Sequence, residues 1–163
     1  MNFYTSDQHF GHKNIIKYEN RIFLTTEEMD AHMIACWNEV VGEMDVVYHL
    51  GDFSFGNQKY YLDRLNGTKI LVKGNHDRKG NNALLNMGFE AVAQEFLIRD
   101  GKYRLLLSHR PQDRWKGQGE GIHHFYGHIH SNVYKNISYA YNVCVDVWNY
   151  YPKTAEQIID GYE

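Results

Sequence analysis

The sequence predicts an α/β fold in which short buried strands end on clusters of metal-capable and proton-carrying side chains. Three observations carry the prediction. Apolar runs at residues 2–6, 46–50 and 69–73 are each followed by a polar cluster, namely Asp7-Gln8-His9, Gly51-Asp52 and Gly74-Asn75-His76-Asp77. Segments with helical periodicity lie between these runs, the alternation of an α/β sheet whose ligand crevice lies beyond the carboxyl ends of its strands. Two further clusters, Ser108-His109 and Gly127-His128-Ile129-His130, follow extended runs in the second half. A turn holding an amide, an imidazole and a carboxylate side by side fills a core poorly and builds a site well.

In chain order, residues 2–6 read as a buried strand that delivers Asp7 and His9 to its C-terminal loop. Gly11 lets the chain turn, and a short helix is expected near residues 14–18. The clearest helix follows. Thr25-Thr26-Glu27-Glu28 makes a capping box, Met29, Met33, Trp37 and Val41 recur every four residues, and Gly42 closes it. Residues 46–50 form a second strand, 57–65 a helix stopped by Asn66-Gly67, and 69–73 a third strand. Residues 81–87 read as a weak helix. Residues 91–99 and 102–107 are extended runs joined at Asp100-Gly101, a hairpin signal. A glycine-rich loop covers 110–121, a short strand leads into Gly127, residues 141–147 read as a strand, and 154–160 as a terminal helix. With no repeat, linker or low-complexity tract, one domain over 1–163 is expected.

The 163 residues suffice for one core burying roughly 70% of the unfolded chain's surface. No run approaches the ~18 apolar residues that span a bilayer, so no membrane partner is expected, and the absence of an apolar leader makes the cytoplasm the expected location. Cys36 and Cys144 lack CxxC spacing and read as buried reduced thiols. A net charge of −3 with scattered basic residues argues against long nucleic acid as a partner. Histidine stands out. Of ten, His9, His12, His49, His76, His109, His128 and His130 lie in or beside the clusters.

If these loops converge they offer Asp7, His9, Asp52, Asn75, His109, His128 and His130 as ligands. Seven mixed oxygen and nitrogen donors are too many for one tetrahedral zinc and suit two first-row cations sharing one carboxylate, with Asp52 the natural bridge. In an extended segment Asp-x-His and His-x-His aim both outer side chains the same way, leaving Gln8 and Ile129 to point elsewhere. Two divalent ions, offset by two aspartates and a hydroxide, leave the cluster with a surplus positive charge. That surplus suits phosphate, and Asn75 preserves it by being neutral.

The ordered set Asp7-x-His9, Gly51-Asp52, Gly74-Asn75-His76-Asp77, His109 and Gly127-His128-x-His130 resembles the calcineurin-like metallophosphoesterases. The stretches Ser6-Asp7-Gln8-His9-Phe10-Gly11-His12 and Asn142-Val143 to Asp146-Val147-Trp148 are similar to a compact bacterial and phage branch without a cap domain. The resemblance implies a four-layer α/β/β/α sandwich of mixed sheets with a two-metal centre at one edge. It implies Asp7, His9, Asp52 and His130 on one metal, and Asp52, Asn75, His109 and His128 on the other. It also implies that His76 contacts the scissile phosphate and protonates the leaving oxygen while a metal-bridging hydroxide attacks phosphorus in line. The expected cofactors are two divalent ions, with Mn²⁺ preferred and Fe, Zn or Ni compatible. The expected partner is a small phosphoester, a diester of nucleotide size preferred.

One departure from the better-known phosphatases stands out: where they carry an aspartate that orients the catalytic histidine and an arginine that grips phosphate, this chain has Phe55 and Gly56. Asp77 is then a candidate to orient His76, and His12, Lys13, Arg78 and Arg110 are candidates for phosphate contact. His49, His123 and His124 read as structural histidines, the latter two near enough to support ligands, and Trp115 or Tyr134 as possible base-stacking platforms. Two competing functions stay open, a metal-binding scaffold acting as a partner module and a nuclease.

Overall fold

The computed structural model describes residues 1–132 and 134–161. The elements run β1 (Asn2–Thr5), α1 (Lys13–Tyr18), α2 (Thr26–Val40), β2 (Val46–His49), α3 (Gln58–Leu62), β3 (Thr68–Val72), α4 (Asn81–Met87), β4 (Ala91–Ala93), β5 (Glu95–Asp100), β6 (Tyr103–Ser108), β7 (Ile122–Tyr126), β8 (Ala140–Asn142) and α5 (Ala155–Asp160). They build two four-stranded sheets, ordered β1-β2-β3-β4 and β5-β6-β7-β8. The first is parallel throughout. In the second only β5 runs antiparallel to its neighbour.

Because side chains alternate along a strand, adjacent residues serve two different cores. Phe3, Val47 and Leu71 pack with Met29, Met33 and Trp37 of α2 and with Leu62 and Leu84 of α3 and α4. Tyr4, Leu50 and Val72 pack instead with Leu105, Leu107 and Phe125 of the second sheet. Tyr4 and Phe125 meet edge to face at 5.1 Å across this interface. Ala155, Ile158 and Ile159 of α5 complete the inter-sheet core. On the far side of the second sheet the loop 110–121 supplies a single 3₁₀ turn, Gln118–Glu120, and the buried ring of Trp115. This is the layered sandwich the sequence predicts, with a thin outermost layer. No helix among the described residues is long and apolar enough to cross a membrane.

Four local expectations change. The α2 stripe is buried as expected, but the helix ends at Val40 with Val41 extended as its cap, so Gly42 does not close it. Thr25 caps the Glu28 amide while the Glu28 carboxylate reaches past it to the Leu24 amide. The run 91–99 is not one strand: it leaves the first sheet after Ala93, crosses at Gln94 and enters the second sheet at Glu95. The run 141–147 is strand only to Asn142, after which Cys144 makes a single bridge to Ser6 and the chain turns. Both cysteines are buried and unpaired by disulfide, as read from the sequence.

Candidate metal centre

The C-terminal ends of β1, β2, β3, β6 and β7 gather at one edge of the sandwich, and every predicted site residue follows one of them. The loops after β1 and β2 are laced together, the Asp7 amide donating to the Gly51 carbonyl at 3.0 Å and the His9 amide to the Asp52 carbonyl at 3.1 Å. Two groups of ligand atoms result: Asp7, His9 and His130, and Asp52, His109 and His128.

The backbone achieves this in an unexpected way. Asp7, His9, Asp52, His128 and His130 all have positive φ, between 51° and 75°. The extended geometry expected for Asp-x-His and His-x-His is therefore replaced by left-handed residues, which Asp and His adopt more readily than most. Such residues cost on the order of 1–3 kcal/mol each and persist where surrounding structure holds them. Gln8 does point away from the site. It is buried, donates to Thr5 at 2.8 Å and bonds His49.

The motif glycines are explained by close approach. A Cβ on Gly74 would sit 2.2 Å from Asp52 Oδ1, and one on Gly127 would sit 2.4 Å from Asp7 Oδ2. Only glycine lets those turns pass over the carboxylates.

The residues fit metal ions on three counts. Asp7 Oδ2 is satisfied by Ser6 Oγ, by the His128 amide at 2.8 Å and by Cys144 Sγ at 3.2 Å. Its Oδ1 and both ring nitrogens of His9 are buried with no hydrogen-bond partner among the described residues, a costly arrangement unless a ligand completes it. Asp52 likewise gives Oδ1 to the His76 amide at 2.9 Å and keeps Oδ2 free, 3.6 Å from His9 Nε2 and 3.5 Å from His109 Nε2. These gaps, with 3.7 Å from His9 Nε2 to Asp7 Oδ1 and 4.0 Å from His130 Nε2 to the same oxygen, exceed hydrogen-bond lengths. They lie within the ~4.2 Å that two ligands with bonds of ~2.1 Å span across one ion. Finally, His109 Nδ1 donates to the Leu50 carbonyl at 2.7 Å and His130 Nδ1 to Asp146 at 2.8 Å, which turns each Nε2 inward as a lone-pair donor. Burial alone would raise the Asp7 carboxyl, but its histidine neighbours hold it well below the usual range. It is ionised, as a ligand must be.

Asn75 Oδ1 faces the second group, 3.0 Å from His109 Nε2. His76 stands beside the centre, half-buried, its Nε2 4.0 Å from Asp52 Oδ2. His12 stacks on Phe55 with centroids 3.9 Å apart. Arg110 Nη1 donates to His128 Nε2 at 2.9 Å. Arg78 lines a cleft with His76, whereas Lys13 lines a separate groove with Lys17 and Thr26.

Asp77 does not touch the His76 ring. It is buried and accepts the amides of Asp52, Gly74 and Phe53 at 2.7, 2.8 and 3.2 Å, so it ties the β2 and β3 loops together. Burial raises its carboxyl and those three amides oppose the rise. His49 is structural, as is His124, whose ring is buried and doubly hydrogen-bonded. Trp115 is no stacking platform, because its ring is buried against His124 and its Nε1 donates to the Ile122 carbonyl. Tyr134 is tied through its hydroxyl to Asp113.

Sequence reasoning missed Arg21, a lone arginine in a polar stretch whose partner Asp146 is 125 residues away. It saw Asp146 only as part of a family stretch. The usable signal was the Asp two residues before Trp148 in that stretch, too weak by itself to assign a contact.

No family model matches the chain. An uncharacterized protein of Methanocaldococcus jannaschii is 34% identical over 94% of this chain and 86% of its own length. A protein of unknown function from Aquifex aeolicus has a solved structure that superposes with a TM-score of 0.77 and 26% identity, covering 100% of this chain and 99% of that one. The nuclease MPE of Pseudomonas putida superposes with a TM-score of 0.52 at 18% identity, over 79% of this chain and 61% of that one. With a relative at that identity along nearly its whole length, the chain belongs to one family with the Methanocaldococcus jannaschii protein, and its two-sheet architecture is a metallophosphoesterase-like fold with the five motifs in order at one edge.

Proposed function

We propose that residues 1–163 form one metallophosphoesterase domain that hydrolyses a phosphodiester of nucleotide size with two divalent ions, Mn²⁺ preferred. The observation that carries this reading is the position of Asp52 Oδ2, within 3.6 Å of His9 Nε2 and 3.5 Å of His109 Nε2, between the two ligand groups. Asp7, His9, Asp52 and His130 would hold one ion, and Asp52, Asn75, His109 and His128 the other. When bound, the two ions supply an activated water and a clamp on the phosphate oxygens.

The chain's own groups do the rest. His76 reaches a phosphate resting at the Asp52 edge and protonates the departing oxygen, while the neutral Asn75 leaves the site attractive to an anion. Arg110, beside His128, and Arg78 at the mouth of the His76 cleft would contact non-bridging oxygens. His12, stacked on Phe55, borders the same side. Two clefts support a diester over a monoester. One of about 320 Å³ adjoins Asn75, His109 and Arg110, and one of about 360 Å³ adjoins His76, Phe55 and Arg78, so each ester arm has a place to lie.

The test is a panel of aryl mono- and diesters and nucleotide diesters crossed with Mn²⁺, Fe²⁺, Zn²⁺ and Ni²⁺ on one purified sample. The expected outcome is turnover of diesters above monoesters with at least one metal. Failure with every pair would favour the partner-module reading, and steeply salt-dependent cleavage of single strands the nuclease.

A further inference from the structure

Three candidate ligands depend on one buried guanidinium. The Arg21 side chain has no exposed surface, and apart from contacts of Nη1 with the sulfurs of Met29 at 3.5 Å and Met33 at 4.0 Å its donors go to the turn and the carboxylate that carry the first ligand group. Nη2 donates to the Asp7 carbonyl at 2.7 Å and Nη1 to the Gln8 carbonyl at 2.8 Å. Nε and Nη2 donate to the two carboxylate oxygens of Asp146 at 2.8 and 3.1 Å. Asp146 Oδ2 in turn accepts Nδ1–H of His130.

The consequence is a brace with two arms. One arm grips the carbonyls of the left-handed Asp7-Gln8-His9 turn and thereby sets where Asp7 Oδ1 and His9 point. The other fixes the His130 ring with Nε2 inward and, through a carboxylate on the opposite nitrogen, strengthens that donor. A bidentate arginine suits this task because its fork is rigid and always charged. The second ligand group is held differently: a neutral carbonyl, Leu50, orients His109, and the His76 amide orients Asp52.

We propose that Arg21 and Asp146 are positioning residues that set metal affinity at the Asp7, His9 and His130 site and leave the Asp52, His109 and His128 site largely unaffected. The proposal rests on the dinuclear reading above. It predicts unequal sites under mutation, which a general structural role would not produce.

The experiment is equilibrium dialysis of the full chain against Mn²⁺, with metal counted per chain and melting recorded in EDTA. Wild type should hold two ions. Asp146→Asn, which keeps the shape and an acceptor but loses the charge, and Arg21→Lys, which keeps the charge but loses the fork, should each hold one ion tightly. Their other site should weaken roughly 10- to 100-fold. Variants that fold in EDTA and bind two ions as tightly as wild type would overturn the proposal. A wild type binding fewer than two ions would overturn the dinuclear reading and this inference with it. Should the variants fail to fold, the Zn²⁺-loaded wild type decides: its imidazole ¹⁵N spectrum should show His130 protonated at Nδ1 and metal-bound at Nε2, and the reverse assignment would refute the brace.

Discussion

The ring of Phe55 packs against the imidazole of His76 with centroids 5.0 Å apart, at the position where the phosphatases that the sequence resembles carry an aspartate. No hydrogen bond to the His76 ring occurs among the described residues, and its Nε2 approaches Asp52 no nearer than 4.0 Å. Packing has replaced a carboxylate. The same phenyl ring covers His12 on its other flank and lies 5.6 Å from His9.

Phe55→Ala therefore tests orientation by packing. Phe55 is 36% exposed, so its removal should cost little stability, while a freely rotating His76 should lower kcat about tenfold, or ~1.4 kcal/mol of transition-state stabilisation. Metal content should not change. Steady-state kinetics with metal analysis checks this, and an unaltered kcat would show that His76 needs no partner.

Asp77→Ala separates a loop tie from a catalytic partner. Removing the carboxylate leaves three amides without their acceptor, two of them from the buried Asp52 and Phe53 turn. At about 1–3 kcal/mol per stranded group the loss should total at least ~3 kcal/mol, and the melting temperature in EDTA should fall by roughly 6–12 °C for a chain of this size. Calorimetry of the metal-free variant decides the matter.

These two residues mark where the sequence stopped being legible. Strand ends, the amphipathic stripe of α2 and the five motifs could be read, because periodicity and turn chemistry are local. Asp77 could not be placed: whether a carboxylate faces an imidazole or three backbone amides depends on how the Gly51 and Gly74 turns cross. The break at Gln94 hides inside an unbroken extended pattern, since both halves alternate and only the sheet each joins differs. Left-handed φ at Asp7, His9, Asp52, His128 and His130 leaves no mark that separates it from an ordinary turn. The Arg21–Asp146 pair joins the two ends of the chain, and such a contact is visible only after folding.

His124 gives the metal-free protein a pH dependence with a definite sign. Burial pushes its pKa down from 6.5 to about 4, and its neutral ring accepts the Gln112 amide at Nε2 while donating from Nδ1 to Leu106. The unfolded chain thus binds a proton that the folded chain refuses between those values, so stability rises with pH there. The contribution is complete above pH 6.5 and is lost as pH falls towards 4, on the order of 3 kcal/mol in all. In EDTA, His124→Gln should flatten the acid limb of stability by up to ~1.4 kcal/mol per pH unit. An acid limb with the wild-type slope would mean His124 is not the group that titrates.

The most direct measurement of the central claim is turnover of an aryl phosphodiester with Mn²⁺ by wild type, Asp52→Asn and His76→Ala, with bound metal counted in each. The account predicts that wild type cleaves the ester with two ions bound and that Asp52→Asn loses both metal and activity. It predicts that His76→Ala keeps both ions and loses at least ~100-fold in kcat. Full activity in His76→Ala, or two tightly held ions in Asp52→Asn, would contradict it.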